Sequence, residues 1–328
     1  MPKRILLGWG VLLVCLMAMP GVCQKTAATD EMVVTLVGTG GPELTPDRAG
    51  ESTLVEAKGQ KLLFDAGRGT LDGLYQSHVL PQQVTKVFLT HLHSDHISGL
   101  PDLWMTPWFL LFRMQKLEVW GPVGTRAMID GMRQMYAHDL EHRANATFKR
   151  EDLDVTVHEI AAGVVYQADG VTVMAVAVEH ADGNPAFGYR VQAGDHAVFL
   201  TGDCTYAASL VEAARGVDVL VANVVAATPA LESSARWKPV MAKLLLPEQA
   251  AMLFEQAKPK LAVYSHIVKK DLSGDAGDAV IVERTRKAGY RGPLLMGRDH
   301  TRIVIGASVA VKPVTRKLPD LDGPDVRF

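Results

Sequence analysis

Cysteine and unbalanced charge are both scarce in this chain of 328 residues. Its three cysteines are Cys15, Cys23 and Cys204, too few to build a disulfide framework. The 34 basic and 36 acidic side chains give a formal charge of -2, so no excess of positive charge points to a nucleic-acid partner. Repeats and low-complexity tracts are also lacking. The composition, 48% hydrophobic and 21% charged, is typical of an ordinary globular protein.

The N-terminal residues differ from the rest of the chain. Lys3 and Arg4 precede an apolar run at 5–19, and a segment of small residues follows. This order is typical of a secretory signal peptide, and the run is too short to favour a stable membrane span. We therefore expect a signal peptide at 1–28, cleaved between about 20 and 28, and a periplasmic or secreted protein. The alternative is an N-terminal membrane anchor with the enzyme still outside the cytoplasm.

The remaining sequence alternates strand-like and helical segments. Short apolar runs bounded by turns predict strands, for example at 32–38, 84–90 and 261–265. Helical spacing follows at 124–138 and at 247–256, where proline begins the segment. The pattern of two β-rich halves, each followed by helices, predicts an α/β fold with two sheets face to face and helices outside. We place one domain at 29–306 and a C-terminal tail at 307–328.

A cluster of metal-ligand side chains follows the predicted strand at 84–90. Three histidines and one aspartate fall within six residues: His91, His93, Asp95 and His96. Imidazole and carboxylate are the donors that catalytic zinc prefers. Because alternate residues of an extended backbone point the same way, His91 and His93 can face one ion. The other two are displaced toward a second ion. The alternative, a solvated polar loop, explains the density of ligands less well.

Three later residues of ligand type also follow predicted strands. They are His180, Asp203 and His266, after strands ending near 179, 202 and 265. Each alone would more often be a satisfied structural residue. Their shared position at strand ends predicts that they converge on one rim of the sandwich.

This order, His-x-His-x-Asp-His followed by His, Asp and His, resembles the metallo-β-lactamase superfamily and its ribonuclease Z branch. Further matching segments lie at 38–42, 63–67, 187–190 and 201–203. The resemblance implies a four-layer αββα sandwich of the metallo-β-lactamase type. It also implies one zinc ion on His91, His93 and His180, a second on Asp95, His96 and His266, and Asp203 bridging both. Asp65 resembles the aspartate that orients ligand imidazoles in the family. The alternative interpretation is that Asp65 is only a structural residue of a turn.

The sequence departs from ribonuclease Z at two places. The family has a His-Glu-Ala-Thr run where this chain has alanine, Asn223 and two valines, and a His-Ser-Thr element where this chain has Leu244 and two further leucines. In the family these elements supply the glutamate and histidine that protonate the leaving group, so the resemblance leaves the proton donor unassigned. The family's long tRNA-binding insert is not found either.

We therefore expect an exported enzyme that uses two Zn²⁺ ions, with Mn²⁺ or Fe²⁺ able to replace one or both. A water or hydroxide bridging the ions would attack a phosphodiester or similar ester, such as a sulfate ester, and Asp95 would accept a proton. The alternatives are ribonuclease Z-like tRNA 3'-processing and lactonase- or β-lactamase-type hydrolysis.

The expected partner is a small-molecule ester rather than nucleic acid. No membrane span should remain after cleavage of the signal peptide, and a homodimer is compatible with the sequence. Trp104 and Trp108 are interpreted either as groove lining or as core.

Overall fold

A computed structural model describes residues 31–312. The predicted signal peptide and the tail beyond Lys312 lie outside these residues. Within 31–312, no helix is both long enough and apolar enough to cross a membrane.

Fifteen strands and ten α-helices are found among the described residues. The strands are β1 (Met32–Gly38), β2 (Ser52–Ala57), β3 (Gln60–Phe64), β4 (Lys86–Phe88), β5 (Leu117–Gly121), β6 (Val155–Glu159), β7 (Gly163–Ala168), β8 (Val171–Val178), β9 (Ala186–Ala193), β10 (His196–Leu200), β11 (Val219–Ala227), β12 (Leu261–Lys270), β13 (Leu294–Met296), β14 (Thr301–Ile305) and β15 (Val309–Lys312). The helices are α1 (Thr70–Gln76), α2 (Ser94–Ile97), α3 (Leu100–Leu110), α4 (Thr125–Met135), α5 (Ala137–Arg143), α6 (Ala208–Ala214), α7 (Pro229–Ser233), α8 (Lys238–Met241), α9 (Pro247–Ala257) and α10 (Gly274–Lys287).

The strands form two sheets. One has the order β15-β14-β1-β2-β3-β4-β5-β6, and the other has the order β13-β12-β11-β10-β9-β8-β7. Strands β3 to β6 are parallel, as are β10 to β13, so several strands of each sheet end on the same edge. Loops at the carboxyl ends of such strands are where α/β folds place ligands.

Alternating side chains explain why the sheets stack in four layers. In β1, Val34 and Leu36 pack between the two sheets, whereas Val37 packs toward helices α1 and α3. A third apolar cluster lies between the second sheet and α6, α9 and α10. Because each sheet is apolar on both faces, it must be covered on both, and the αββα sandwich expected from the sequence is observed.

Several boundaries differ from the sequence-based ones. The helix predicted at 124–138 is interrupted at Tyr136, which separates α4 from α5. The strand predicted at 261–265 continues to Lys270. Strand β15 pairs with β14, so the sheet extends past the predicted domain boundary at residue 306. The extension of β12 matters most because it carries one of the candidate ligands.

Candidate metal centre

The cluster at 91–96 bridges the end of one strand and the start of a helix. After β4 ends at Phe88, the chain passes His91 in a loop, and His93 directly precedes α2. Asp95 and His96 lie in the single turn of α2. His91 and His96 are fully buried, while His93 and Asp95 are partly accessible. The change from loop to helix therefore separates two pairs of ligand-type side chains within six residues.

A β-bulge turns His266 toward the same edge. Between the pairs Ala222↔Tyr264 and Val224↔Ile267, β12 holds Ser265 and His266 opposite the single residue Asn223 of β11. His266 has a left-handed backbone, with φ of 45°. Such bulges bend a strand and re-aim a side chain. The strand therefore does not end before His266, as predicted, but is locally deformed around it.

The structure brings all seven predicted side chains together in three overlapping groups. In each group the candidate ligand atoms lie within 4.8 Å of one another; the groups are His91, His93 and His180; His91, His96 and Asp203; and Asp95, His96 and His266.

Asp203 lies between the two ends of this cluster. Its Oδ2 is 3.5 Å from His96 Nε2 and 3.6 Å from His180 Nε2, and its Oδ1 is 3.1 Å from His266 Nδ1. At the far end, Asp95 Oδ2 is 3.3 Å from His266 Nε2. The Asp203 carboxylate therefore faces His180 of the first group and His266 of the third, which is the geometry that a bridging ligand requires.

Unpaired buried atoms indicate that the residues fit metal ions. Nε2 of His91 and of His96, Oδ1 of Asp203 and Nδ1 of His266 are buried and have no hydrogen-bond partner in the described structure. Buried polar atoms without partners are costly, so a coordinated cation is the natural explanation for several that face one another. The donors are imidazole nitrogens and carboxylate oxygens, as divalent metals such as zinc require.

Asp65 orients two of the imidazoles. Its Oδ2 accepts 2.8 Å hydrogen bonds from His96 Nδ1 and from the hydroxyl of Thr90, and its Oδ1 accepts one from the Thr90 backbone amide. The Thr90 hydroxyl in turn lies 3.0 Å from His91 Nδ1, from which it can accept. With Nδ1 engaged, the Nε2 lone pairs of His91 and His96 face the centre.

The imidazole of His180 is oriented by a segment next to the second sheet. His180 Nδ1 donates to the carbonyl oxygen of Lys243 at 3.0 Å. Lys243 also forms an ion pair with Asp182, two residues beyond His180. The chain between β11 and α9 thus holds one side of the centre in place.

Glu51 is a functional residue that the sequence analysis missed. Its Oε2 accepts hydrogen bonds from the Ser265 hydroxyl at 2.6 Å and from the His266 backbone amide at 2.8 Å. Its Oε1 accepts from the Thr53 hydroxyl at 3.1 Å. These bonds join the start of β2 to the bulge of β12 and stabilise the backbone that carries His266. An isolated glutamate before a strand gives no local signal of this role.

Burial and neighbouring charges shift the acid–base properties of the centre. Burial raises the pKa of Glu51 from 4.5 to about 7, although His266 and Ser265 oppose the shift. Burial, with the charge of His96, holds the pKa of His91 well below its usual value, which favours the neutral imidazole that binds metal. For Asp203, burial alone raises the pKa, but His266 and His96 outweigh it and the pKa is lowered.

Asn223 and Leu244 both lie in the interior. Asn223 Nδ2 donates to the Gly202 carbonyl at 2.8 Å, and its Oδ1 accepts from the Leu245 amide at 2.9 Å. Leu244 packs in an apolar cluster with Val225 and Val268. At these positions the chain links the loop before Asp203 to the segment at 244–246 and offers no titrating group.

Trp104, Trp108 and Cys204 are part of the core. Trp104 and Trp108 are buried, and their indole N–H groups donate to the carbonyls of Leu153 and Lys149. The interpretation of these rings as groove lining is therefore wrong, because both belong to α3 and are buried in the apolar cluster that this helix shares with the first sheet. Cys204 is buried, and burial raises the pKa of its thiol to about 12, so it is not a thiolate ligand.

Comparisons with known proteins find relatives of this chain. The model of a family described as a β-lactamase superfamily domain matches residues 60–267. The ribonuclease Z of Mycobacterium sp. (strain KMS) is 34% identical over 284 residues, covering 85% of this chain and 98% of the relative. The ribonuclease Z of Mycobacterium bovis (strain BCG / Pasteur 1173P2) is 37% identical over 195 residues, covering 58% of this chain and 70% of the relative.

Solved structures share the fold at lower identity. The metallo-β-lactamase fold protein YhfI from Bacillus subtilis superposes with a TM-score of 0.64 at 16% identity, covering 84% of this chain and all of that one. The short form of human tRNase Z superposes with a TM-score of 0.62 at 23% identity, covering 84% of this chain and 98% of that one.

Proposed function

Because the chain belongs to the metallo-β-lactamase superfamily of metal-dependent hydrolases, in its ribonuclease Z-like branch, we propose that it is a two-metal phosphodiesterase. The observation that carries the proposal is the position of Asp203, whose carboxylate faces His180 at one end of the cluster and His266 at the other. A single carboxylate between two sets of imidazoles is suited to two ions held close together.

The ligands divide between the two ions as the three groups suggest. His91, His93 and His180 would hold the first ion and Asp95, His96 and His266 the second, while Asp203, which faces both His180 and His266, would contribute to both. We propose Zn²⁺ for both sites, because the donors are mainly imidazoles; Mn²⁺ or Fe²⁺ can use the same set. Two such ions would lower the pKa of a nearby water and would neutralise the charge that develops on the phosphoryl oxygens.

The protein side chains contribute orientation and charge. Asp65 and the Lys243 carbonyl fix the imidazole tautomers, and Glu51 fixes the backbone of His266. Burial raises the pKa of Asp95, but its hydrogen bond with His266 and the positive charges of His96 and His266 together outweigh this and lower the pKa, so the carboxylate stays ionised at neutral pH. An ionised Asp95 can accept a hydrogen bond from the attacking water and take up its proton.

The relatives favour phosphodiesters over sulfate esters as substrates. Their names identify them as ribonuclease Z, an activity that cleaves RNA, and so support the ribonuclease Z alternative better than an exported sulfatase. tRNA 3'-processing is therefore the second candidate. Against it stand the buried roles of Asn223 and Leu244, which leave a ribose alkoxide without the family's proton donor. The weak overall charge is also unlike that of a nucleic-acid-binding protein.

Location and partners form a further part of the proposal. The basic head and apolar run of the first residues support export to the periplasm or secretion. An exported enzyme would meet small phosphodiesters rather than precursor tRNA. We also propose that the mature enzyme acts without a membrane span.

The test compares substrates and metal states of one preparation. Metal-free protein and protein loaded with Zn²⁺ are assayed on bis(4-nitrophenyl) phosphate, 4-nitrophenyl sulfate and precursor tRNA, with bound metal measured in parallel. We expect protein that holds about two ions per chain to hydrolyse the phosphodiester, and metal-free protein to leave it intact. Asp203→Asn, which keeps the shape but weakens the bridge, should lose both metal and activity. Zinc-loaded protein that cleaves neither the phosphodiester nor tRNA would refute the proposal; specific tRNA cleavage would establish the second candidate.

A further inference from the structure

Two open grooves meet at Arg68, and one of them contains Asp95. The first, called here the proximal groove, has a volume of about 330 Å³ and is lined by Pro42, Arg68, Ser94, Asp95, Ser98 and Asp102. The second, the distal groove, has a volume of about 480 Å³ and is lined by Asp47, Arg68, Asp72, Arg298, Asp299 and His300. Arg68 lines both. It therefore lies where the groove that contains the candidate ligand Asp95 joins the larger groove.

The guanidinium of Arg68 lacks a protein partner. Within residues 31–312, its side chain forms no ion pair and no hydrogen bond, although it is partly buried. The other two arginines beside the grooves differ: Arg48 pairs with Asp278 at 2.7 Å, and Arg298 pairs with Asp275. None of its nitrogen atoms is among the buried unpaired atoms of the described residues, so the guanidinium is accessible from the grooves. Arg68 is thus the groove cation that is available to an anion from outside.

The backbone of Arg68 is held firmly against the metal centre. Its carbonyl accepts a 2.9 Å hydrogen bond from the Gly50 amide. A Cβ added at the preceding Gly67 would lie 2.4 Å from the carbonyl oxygen of Asp95, so the two backbones are in direct contact. Only glycine permits this approach. The position of Arg68 relative to Asp95 is consequently set by packed main chain rather than by a mobile loop.

The acidic residues of the grooves limit what Arg68 can bind. Asp102 lies in the proximal groove, and Asp47 and Asp72 lie in the distal one. A nucleic-acid backbone that followed the channel would bring its phosphates against these carboxylates. One compact anionic group at the junction avoids them and gains the guanidinium, whose planar fork matches two phosphate oxygens.

We propose that Arg68 binds a second, terminal phosphate of the substrate while the scissile phosphodiester lies at the metal centre. The inference rests on the proposed phosphodiesterase function and names its substrate class: small diesters that carry an additional phosphomonoester. Such a group carries most of two negative charges at neutral pH, more than a single internal diester. Arg68 thereby selects among phosphodiesters without taking part in bond cleavage.

The experiment uses two substrates that differ only in the second phosphate. Thymidine 5'-(4-nitrophenyl phosphate) and its 3'-phosphorylated counterpart have the same leaving group. For the zinc-loaded wild type we expect kcat/KM to be roughly ten- to hundredfold higher on the 3'-phosphorylated substrate, the range that a charged hydrogen-bonded pair contributes. Arg68→Ala and Arg68→Gln should bring this ratio of kcat/KM values close to one, mainly by raising KM for the 3'-phosphorylated substrate. Arg68→Lys should restore part of the ratio. Arg215→Ala removes an exposed arginine outside the grooves and should leave the ratio intact.

A binding measurement separates this inference from the proposed function. Calorimetry of zinc-loaded protein compares thymidine 3',5'-bisphosphate with thymidine 5'-phosphate in wild type and Arg68→Ala. Tighter binding of the bisphosphate that depends on Arg68 supports the subsite even where neither ester is hydrolysed. Equal ratios in wild type and Arg68→Ala, or an Arg68 effect that is larger on precursor tRNA than on the bisphosphate pair, would overturn the proposal.

Discussion

Replacing Glu51 separates the hydrogen bonds of this side chain from its charge. Glu51→Ala leaves the buried Ser265 hydroxyl and the His266 amide without their acceptor. Each unsatisfied buried donor costs about 1–3 kcal/mol, so we expect the free energy of unfolding to fall by about 3 kcal/mol once water partly relieves the loss. Because the His266 backbone is no longer held, affinity for the second ion should fall roughly ten- to hundredfold.

Glu51→Gln is the matched variant. Its amide oxygen can accept from Ser265 and His266, and its amide nitrogen can donate to the hydroxyl of Thr53, which lies 3.1 Å from the present carboxylate. The hydrogen bonds are therefore largely kept and the negative charge is removed. We expect a loss of unfolding free energy of about 1 kcal/mol or less under acidic conditions, where the wild-type carboxyl is protonated too.

The pH dependence gives the sharpest measurement. Burial raises the pKa of Glu51 from 4.5 to about 7 in the metal-free protein. A raised carboxyl pKa stabilises the folded state at pH values below 4.5, and this contribution is lost as the pH rises through about 7. As the pH rises from 5 to 8, the free energy of unfolding of the metal-free wild type should therefore fall by roughly 2–3 kcal/mol relative to that of Glu51→Gln.

Urea unfolding of chelator-treated protein at several pH values measures this difference. With Zn²⁺ bound, the wild type should be more stable than Glu51→Gln at neutral pH, because an ionised Glu51 is favourable beside the added positive charge. If the wild type and Glu51→Gln show the same pH dependence without metal, or if zinc affinity is unchanged in Glu51→Ala, the role assigned to Glu51 is incorrect.

Three further predictions concern metal, export and the leaving group. Chelation should lower the thermal unfolding temperature together with activity, because the ions bind only the assembled centre; an unchanged melting curve would contradict this. N-terminal sequencing should show that the mature protein begins between Gly21 and Thr29. Soluble cytoplasmic protein that starts at Met1 or Pro2 would exclude export. Without a proton donor at Asn223 or Leu244, kcat/KM on aryl phosphodiesters should fall steeply as the leaving-group pKa rises, since general-acid help is worth about a hundredfold or more. A flat dependence with bond cleavage rate-limiting would require another donor.

The sequence alone determined those features that depend on neighbouring residues. The six residues at 91–96 indicate a metal cluster because four ligand-type side chains follow a strand at once. The bounds of β1 agree with the strand predicted at 32–38 because the apolar pattern of a strand is local. The family resemblance, which the comparisons confirm, rests on the same short segments.

Tertiary structure decided the contacts that support this cluster. Glu51 and Ser265 are 214 positions apart, yet their hydrogen bond joins the two sheets at the candidate site. Asn223 reads as a missing proton donor in the sequence, but in the fold it ties Gly202 to Leu245. The bulge that turns His266 arises from the pairing of β11 with β12, which no single strand specifies. Hydrogen bonding and burial depend on which distant segments pack together, so local patterns predict the ligands but not the residues that hold them in place.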